Sequence, residues 1–230
     1  MEICKTHTKP THIPKHIPTH TQKLPMPLPK TRLKQQQVDD LYKSFSAFHK
    51  AALETGVVYT LGAGTALGAV RHGELIPWDD GDIFVFDGSF SSKKALLEKH
   101  MGKYGLTLRP FIHQGTICLH WYKMHLIGKP FPSTDIFVLR ESNGLWKLKD
   151  QLALKWFPEE YLTRDEISCI KLMPFGPLKL PIFRNPENYL ARTYGKDWKT
   201  HAKNAYDHIN NKMQPENKRR ITDYRPALPM

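Results

Sequence analysis

The stretch Trp78-Asp79-Asp80-Gly81-Asp82 places three carboxylates immediately before the apolar run Ile83-Phe84-Val85-Phe86. Asp80 and Asp82 stand two positions apart. On a strand reaching back to Asp80 their side chains share one face, and Asp79 points the other way. Two hard oxygen ligands side by side are what Mg²⁺ or Mn²⁺ takes from a protein when waters and substrate phosphates complete the shell. The competing reading is an acidic turn before a strand. Three carboxylates beside buried apolar residues repel one another, however, unless a cation sits among them.

Upstream, Gly62-Ala63-Gly64-Thr65 follows the β-branched and aromatic run Val57–Leu61 and precedes a short apolar stretch ending at Val70. A strand giving way to a helix leaves backbone N–H groups at the helix start, and there Gly64 and the Thr65 hydroxyl can hold a phosphate. Gly62, Gly64 and Gly68 serve equally as turn and packing glycines. Arg71 and His72 lie between this turn and the acids; Arg pairs bidentately with phosphate, and His72 adds a titratable ring. A phosphoryl-transfer site usually draws a further carboxylate from a neighbouring strand, and Asp135, opening the apolar run Asp135-Ile136-Phe137-Val138-Leu139, fits that place. Its alternative role is to cap the Pro132-Ser133-Thr134 turn.

The elements that must position these groups are legible in outline. Val38, Leu41, Tyr42, Phe45, Phe48 and Ala52 recur at helical spacing, with Gly56 as the stop. Ile83–Phe86 reads as a buried strand, followed by a Ser-capped helix over Ser91–His100. Thr116–Tyr122 alternates, with Ile117, Leu119 and Trp121 on one face. Asn143-Gly144 is the strongest hairpin signal and joins Asp135–Leu139 to Leu145–Leu148. Pro174–Pro181 reads as a loop or short strand, and Pro186 opens a helix carrying Tyr189, Leu190 and Tyr194 that stops at Gly195. Helices and strands mix, with several adjacent strands antiparallel, so the class is α/β or α+β. Trp121, Tyr122 and Trp146 offer a cage for a quaternary ammonium or, alternatively, belong to the core.

The chain has 230 residues, 40% hydrophobic and 24% charged, which suits one folded unit with a tail. The expected division is a basic Pro/His/Thr-rich tail over 1–36, a catalytic domain over 37–205 and a polar extension over 206–230. Half of the net charge of +12 sits in that tail, which holds seven Lys/Arg against Glu2. Six prolines before Lys30 deny it helix and sheet, so it is expected to be disordered. His7, His12, His16 and His20 there can bind a metal loosely, or simply belong to a biased solvated tail. The tail lacks aromatic residues to stack on bases, and the charge left over the folded part is mild; nucleic acid is disfavoured as a partner. Cys4, Cys118 and Cys169 make neither a zinc motif nor a disulfide framework. With no apolar h-region and no run near 18 apolar residues, a soluble, cytoplasmic chain is the default expectation.

The run Gly64-Thr65-Ala66-Leu67-Gly68-Ala69-Val70-Arg71-His72-Gly73, followed by Ile76-Pro77-Trp78-Asp79-Asp80, resembles the glycine-threonine turn and tryptophan–aspartate motif of the LicD family of phosphotransferases. That family includes bacterial phosphocholine transferases and fukutin-type ribitol-phosphate transferases. Asp135-Ile136-Phe137 is similar to its later acid before a strand, and Pro174-Phe175-Gly176 and Tyr194-Gly195-Lys196-Asp197-Trp198 to its C-terminal signatures. The resemblance spans about residues 38–200. One departure stands out: the family's acids fall at the first, third and fifth positions after the tryptophan, whereas here they fall at the first, second and fourth. Aligned from the strand, Asp80 and Asp82 keep the Asp-x-Asp spacing and the preceding loop is one residue shorter.

The resemblance implies a nucleotidyltransferase-like mixed sheet flanked by helices. It also implies metal-dependent transfer of a phospho-alcohol, such as phosphocholine or ribitol phosphate, from a CDP-alcohol donor to a sugar or glycan hydroxyl, with release of CMP. Asp80, Asp82 and Asp135 would then hold Mg²⁺ or Mn²⁺, Asp135 would also take the acceptor's proton, and Gly64, Thr65, Arg71 and His72 would face the donor phosphates. Two alternatives are a nucleotidyltransferase releasing pyrophosphate from NTP and an inactive LicD-like binding protein.

Overall fold

The computed structural model describes residues 32–207 and 212–230, with side chains described outside 204–217. The expectations of a disordered tail and of metal-binding histidines in it fall on residues 1–31, outside the described residues. Of the remainder of that tail, Gln35 and Gln36 already belong to the first helix.

Helix α1 (Gln35–Thr55) buries Leu41, Phe45 and Phe48 on one side and closes at Gly56. Each such side chain contributes roughly 1.5–3 kcal/mol by leaving water. Strand β1 (Tyr59–Leu61) leads through Gly62 into α2 (Ala63–Arg71), and β2 (Asp82–Phe86) is followed directly by α3 (Asp87–Lys103). That helix starts at Asp87, four residues before the expected Ser91 cap; Asp87 puts a negative charge in its first turn, where the helix dipole favours one, and takes Lys149 at 2.7 Å and Arg140 at 3.1 Å. Next come β3 (Leu106–His113), β4 (Thr116–Leu126) and β5 (Thr134–Ser142), then β6 (Leu145–Leu148) across the Asn143-Gly144 hairpin.

Among the described residues the main sheet holds seven strands in the order β1-β2-β5-β4-β3, with β6 on β5 and β7 (Tyr161–Thr163) on β6. Only β2 and β5 pair in parallel within it; the other neighbours are antiparallel. The sheet is mixed and helices flank it, as expected. Period-two alternation splits its side chains: Ile83, Val85, Ile136 and Val138 turn toward the layer of α1 and α3, and Asp82, Phe84, Asp135 and Phe137 toward α2 and α6 (Pro186–Tyr194).

Short α4 (Gln151–Trp156) and α5 (Arg164–Ile167) flank β7. The segment Pro174–Pro181, expected as a loop or short strand, is the inner part of a hairpin of two short strands, β8 (Ile170–Phe175) and β9 (Leu178–Phe183), turning at Gly176. It docks on β1, where Phe183 N–H donates to Thr60 Oγ1 at 3.0 Å. After α6, β10 (His201–Asp207) pairs with β11 (Lys212–Arg220); the boundary expected between 205 and 206 falls inside β10. Within the described residues no helix is long and apolar enough to cross a membrane.

Candidate active site

The acidic loop reaches the sheet through Gly81, whose φ of 92° is a conformation that side-chain-bearing residues rarely adopt. A Cβ there would also stand 2.7 Å from the Phe45 ring. The strand therefore begins at Asp82 and does not extend back to Asp80. Asp80 thus does not share a strand face with Asp82. Asp79 and Asp82, not Asp80 and Asp82, line the same cavity, and Asp135 lines it with them. Asp79 packs so closely on α2 that a Cβ at Gly64 would stand 2.5 and 2.6 Å from its carboxylate oxygens. Glycine at 64 makes room for the acid.

Asp82 is held from three directions. Its own N–H donates to Thr65 Oγ1 at 2.5 Å, its Oδ2 accepts the Gly64 N–H at 3.0 Å, and it is the register partner of Asp135 across the parallel β2/β5 pair. The positive end of α2 is thus turned on a carboxylate of the chain itself. This revises the expected phosphate cradle: the Gly64 N–H is taken by Asp82, the Ala63 N–H by Tyr189 Oη at 3.1 Å, and Thr65 is fully buried. Gly64 and Thr65 position an acid.

Asp135 accepts from Trp121 Nε1 at 2.6 Å and from Lys123 Nζ at 2.8 Å. Trp121 and Lys123 alternate on β4 opposite Phe137 and Asp135, so antiparallel register delivers both donors to one carboxyl. Lys123 also stands 3.8 Å from Asp80, which places Asp80 beside the ammonium rather than on the cavity wall. Burial raises the Asp135 pKa; the Lys123 charge and the two hydrogen bonds oppose that rise, and the Asp80 charge adds to it.

The cavity encloses about 410 Å³. Trp121, Phe137, Trp156 and Phe157 form one side, with the Trp121 ring centre 5.0 Å from Phe137, 5.7 Å from Trp156 and 6.1 Å from Phe157. Of the two readings of Trp121, Tyr122 and Trp146, the core reading holds and the cage does not assemble. Tyr122 follows Trp121 on the strand, so it points to the opposite face and packs on Phe90, while Trp146 packs on Phe86. Trp156 and Phe157 come from α4 and its end, an element that left no periodic signal.

Arg71 lines the cavity, but its Nη1 donates to the carbonyls of Trp198 at 2.9 Å and His201 at 3.3 Å; burial lowers its pKa to about 10, where it stays cationic at neutral pH. His72 does not line it. As the C-cap of α2 its ring lies against Trp78 and Tyr224, and burial followed by the Arg71 charge lowers its pKa to about 4, leaving it neutral. Glu160, which carries no motif, is a buried part of the cavity wall, and burial raises its pKa to about 7 against the Tyr189 hydrogen bond and the Arg192 charge.

Oxygen-only donors facing one cavity suit a hard divalent cation. Among the described residues no three His, Cys, Asp or Glu side chains form a group placed to hold a metal ion. A cation in this cavity would take only part of its shell from Asp79, Asp82 or Asp135 and the rest from water and substrate phosphate.

Over 174 residues the chain is 24% identical to the uncharacterized protein RP689 of Rickettsia prowazekii (strain Madrid E), a match covering 75% of this chain. The chain spans 60% of the length of that relative. Residues 56–185 match the model of the LicD/FKTN/FKRP nucleotidyltransferase domain, a segment running from β1 through the acidic loop and Asp135 to the end of β9. With that segment making up more than half of its residues, the chain belongs to the LicD/FKTN/FKRP nucleotidyltransferase domain family.

Proposed function

We propose that the protein transfers a phospho-alcohol from a CDP-activated donor to a sugar or glycan hydroxyl, releasing CMP. Family membership supports the broad class, a transferase acting on a nucleotide donor and an acceptor. The observation that carries the reading is the convergence of Asp79, Asp82 and Asp135 on one cavity that also has an aromatic side. Mg²⁺ or Mn²⁺ held by these acids would neutralise the donor pyrophosphate and the charge that builds on the leaving phosphate. Gly64 and Thr65 fix Asp82 so that it need not reorganise. Arg71 adds a fixed positive charge at the wall, and the aromatic side excludes water and offers ring faces for the donor's base or alcohol.

One observation favours a second reading, a nucleotide-binding protein without turnover. Lys123 stands between Asp80 and Asp135, so part of the acidic charge is already balanced by an ammonium. The discriminating experiment is calorimetric titration with CDP-choline, CDP-ribitol and CTP in the presence and absence of Mn²⁺, with product analysis of each mixture. Metal-dependent affinity with CMP among the products supports transfer. Pyrophosphate from CTP points to nucleotidyl transfer, affinity without products to the binding protein, and no affinity at all removes the proposal.

A further inference from the structure

We propose that Glu160 takes the proton from the acceptor hydroxyl, an assignment that rests on reading the cavity as a phosphotransfer centre. The obvious candidate base, Asp135, has both oxygens occupied by donors, Trp121 Nε1 on Oδ1 and Lys123 Nζ on Oδ2. With a donor already on each oxygen, the acceptor hydroxyl has little room to reach either one. Glu160 lies in the wall of the same cavity, in the turn between α4 and β7, with 8% of its surface exposed. Its Oε2 accepts the Tyr189 hydroxyl; among the described residues no hydrogen bond is made to Oε1.

The anchoring of Glu160 leads back to the acids. The Tyr189 hydroxyl also accepts the Ala63 N–H, and the next residue, Gly64, donates to Asp82. One chain of hydrogen bonds thus fixes Glu160 relative to Asp82 through the first turn of α2. The groups facing Glu160 are Tyr189, Tyr194 and Arg192 of α6, with Glu159 beside it in its own turn; Asp82 of β2 acts on the two tyrosines. Arg192 does not neutralise Glu160 directly, because its guanidinium is bound to Glu166 at 3.1 and 3.2 Å and to the Tyr161 carbonyl. Burial leaves the Glu160 carboxyl titrating at about 7, where a base operating at neutral pH is most effective.

In the step itself the acceptor oxygen forms its bond to phosphorus while the P–O bond to CMP breaks, leaving the electron pair on the departing phosphate oxygen. The hydroxyl proton moves to Glu160, which gives it to water once product has left.

The test is the pH–rate profile of transfer from CDP-choline and CDP-ribitol to hexose and N-acetylhexosamine acceptors, for the wild type, Glu160→Gln and Tyr189→Phe. Glu160→Gln keeps an oxygen for the Tyr189 hydroxyl, and circular dichroism checks its fold. The expected results for Glu160→Gln are a kcat at least about 100-fold lower, donor affinity within about twofold, and loss of the acid limb near pH 7. Tyr189→Phe, which removes a hydrogen bond to the anion, moves that limb to higher pH. An active wild type whose Glu160→Gln variant retains kcat within about threefold, or retains the acid limb, overturns the assignment alone. A wild type silent on every donor overturns the reading of the site and this assignment with it.

Discussion

Asp82 and Asp135 are register partners on the parallel strand pair β2/β5, and both side chains face the cavity between the sheet and α2. Two carboxylates far apart in sequence are thereby brought side by side by backbone pairing. Asp82→Asn keeps an acceptor for the Gly64 N–H but removes the charge, so the fold should survive while metal-dependent donor affinity and turnover fall by about 100-fold or more. Titration with Mn²⁺ and nucleotide checks it; unchanged affinity in the variant contradicts the role given to Asp82.

Gly64→Ala adds one carbon where the Asp79 carboxylate stands at 2.5 Å. The acid must move, and overpacking of this kind costs roughly 1–3 kcal/mol. A lower Tm together with weaker metal-dependent nucleotide binding is expected. A variant as stable and as tight-binding as the wild type would mean that Asp79 does not need that position.

Thr65→Val leaves the buried Asp82 N–H without its acceptor, at a cost of about 1–3 kcal/mol. Thr65→Ser restores the oxygen and should recover most of both stability and activity. A Thr65→Val variant as stable and active as the wild type, with the loss confined to Thr65→Ser, would show that the methyl group matters and the hydroxyl does not.

Glu160 links the site to pH-dependent stability. Its pKa in the folded protein is raised from 4.5 to about 7, so the folded state binds the proton more tightly, and the contribution is fully present below about pH 4.5 and lost as pH rises through 7. Glu160→Gln removes that dependence. Relative to the wild type it should gain about 2–3 kcal/mol between pH 4.5 and pH 8, measured by urea denaturation at both. A stability difference that stays constant across this range would contradict a titrating Glu160.

Lys123→Met strands Asp135 and Asp80 without their ammonium, and breaking such a buried pair costs about 3–5 kcal/mol near neutral pH. The loss should shrink on acidification, because Asp135, its pKa already raised, then binds a proton and no longer needs the cation. Thermal melts at pH 5 and pH 8 test the sign.

Much of the scaffold is legible in the sequence because its elements carry strong local signals. α1 has an uninterrupted helical stripe ending at Gly56, the β5–β6 hairpin has Asn143-Gly144, and α6 has Pro186 at its start and Gly195 at its end. β3 left no clear signal: Pro110 interrupts it, and the register shift between Pro110 and Ile112 breaks its alternation. α4 and α5 are too short to establish a helical period. At the site, Asp82, Asp135 and Gly64 stand out by type and spacing, but which acid joins Asp82 depended on a single backbone angle at Gly81 that no spacing rule encodes. Lys123, Trp156, Phe157 and Glu160 reach the cavity only through strand register and the packing of α4 and α6. Those are tertiary facts.

The central claim is tested most directly by phosphorus NMR of the protein with Mg²⁺ or Mn²⁺, CDP-choline or CDP-ribitol and the sugar acceptors, run beside Asp82→Asn. The account predicts that CMP and a new phosphodiester signal grow together from one donor and are absent with the variant. No CMP from any donor, or the same yield from Asp82→Asn, would contradict it.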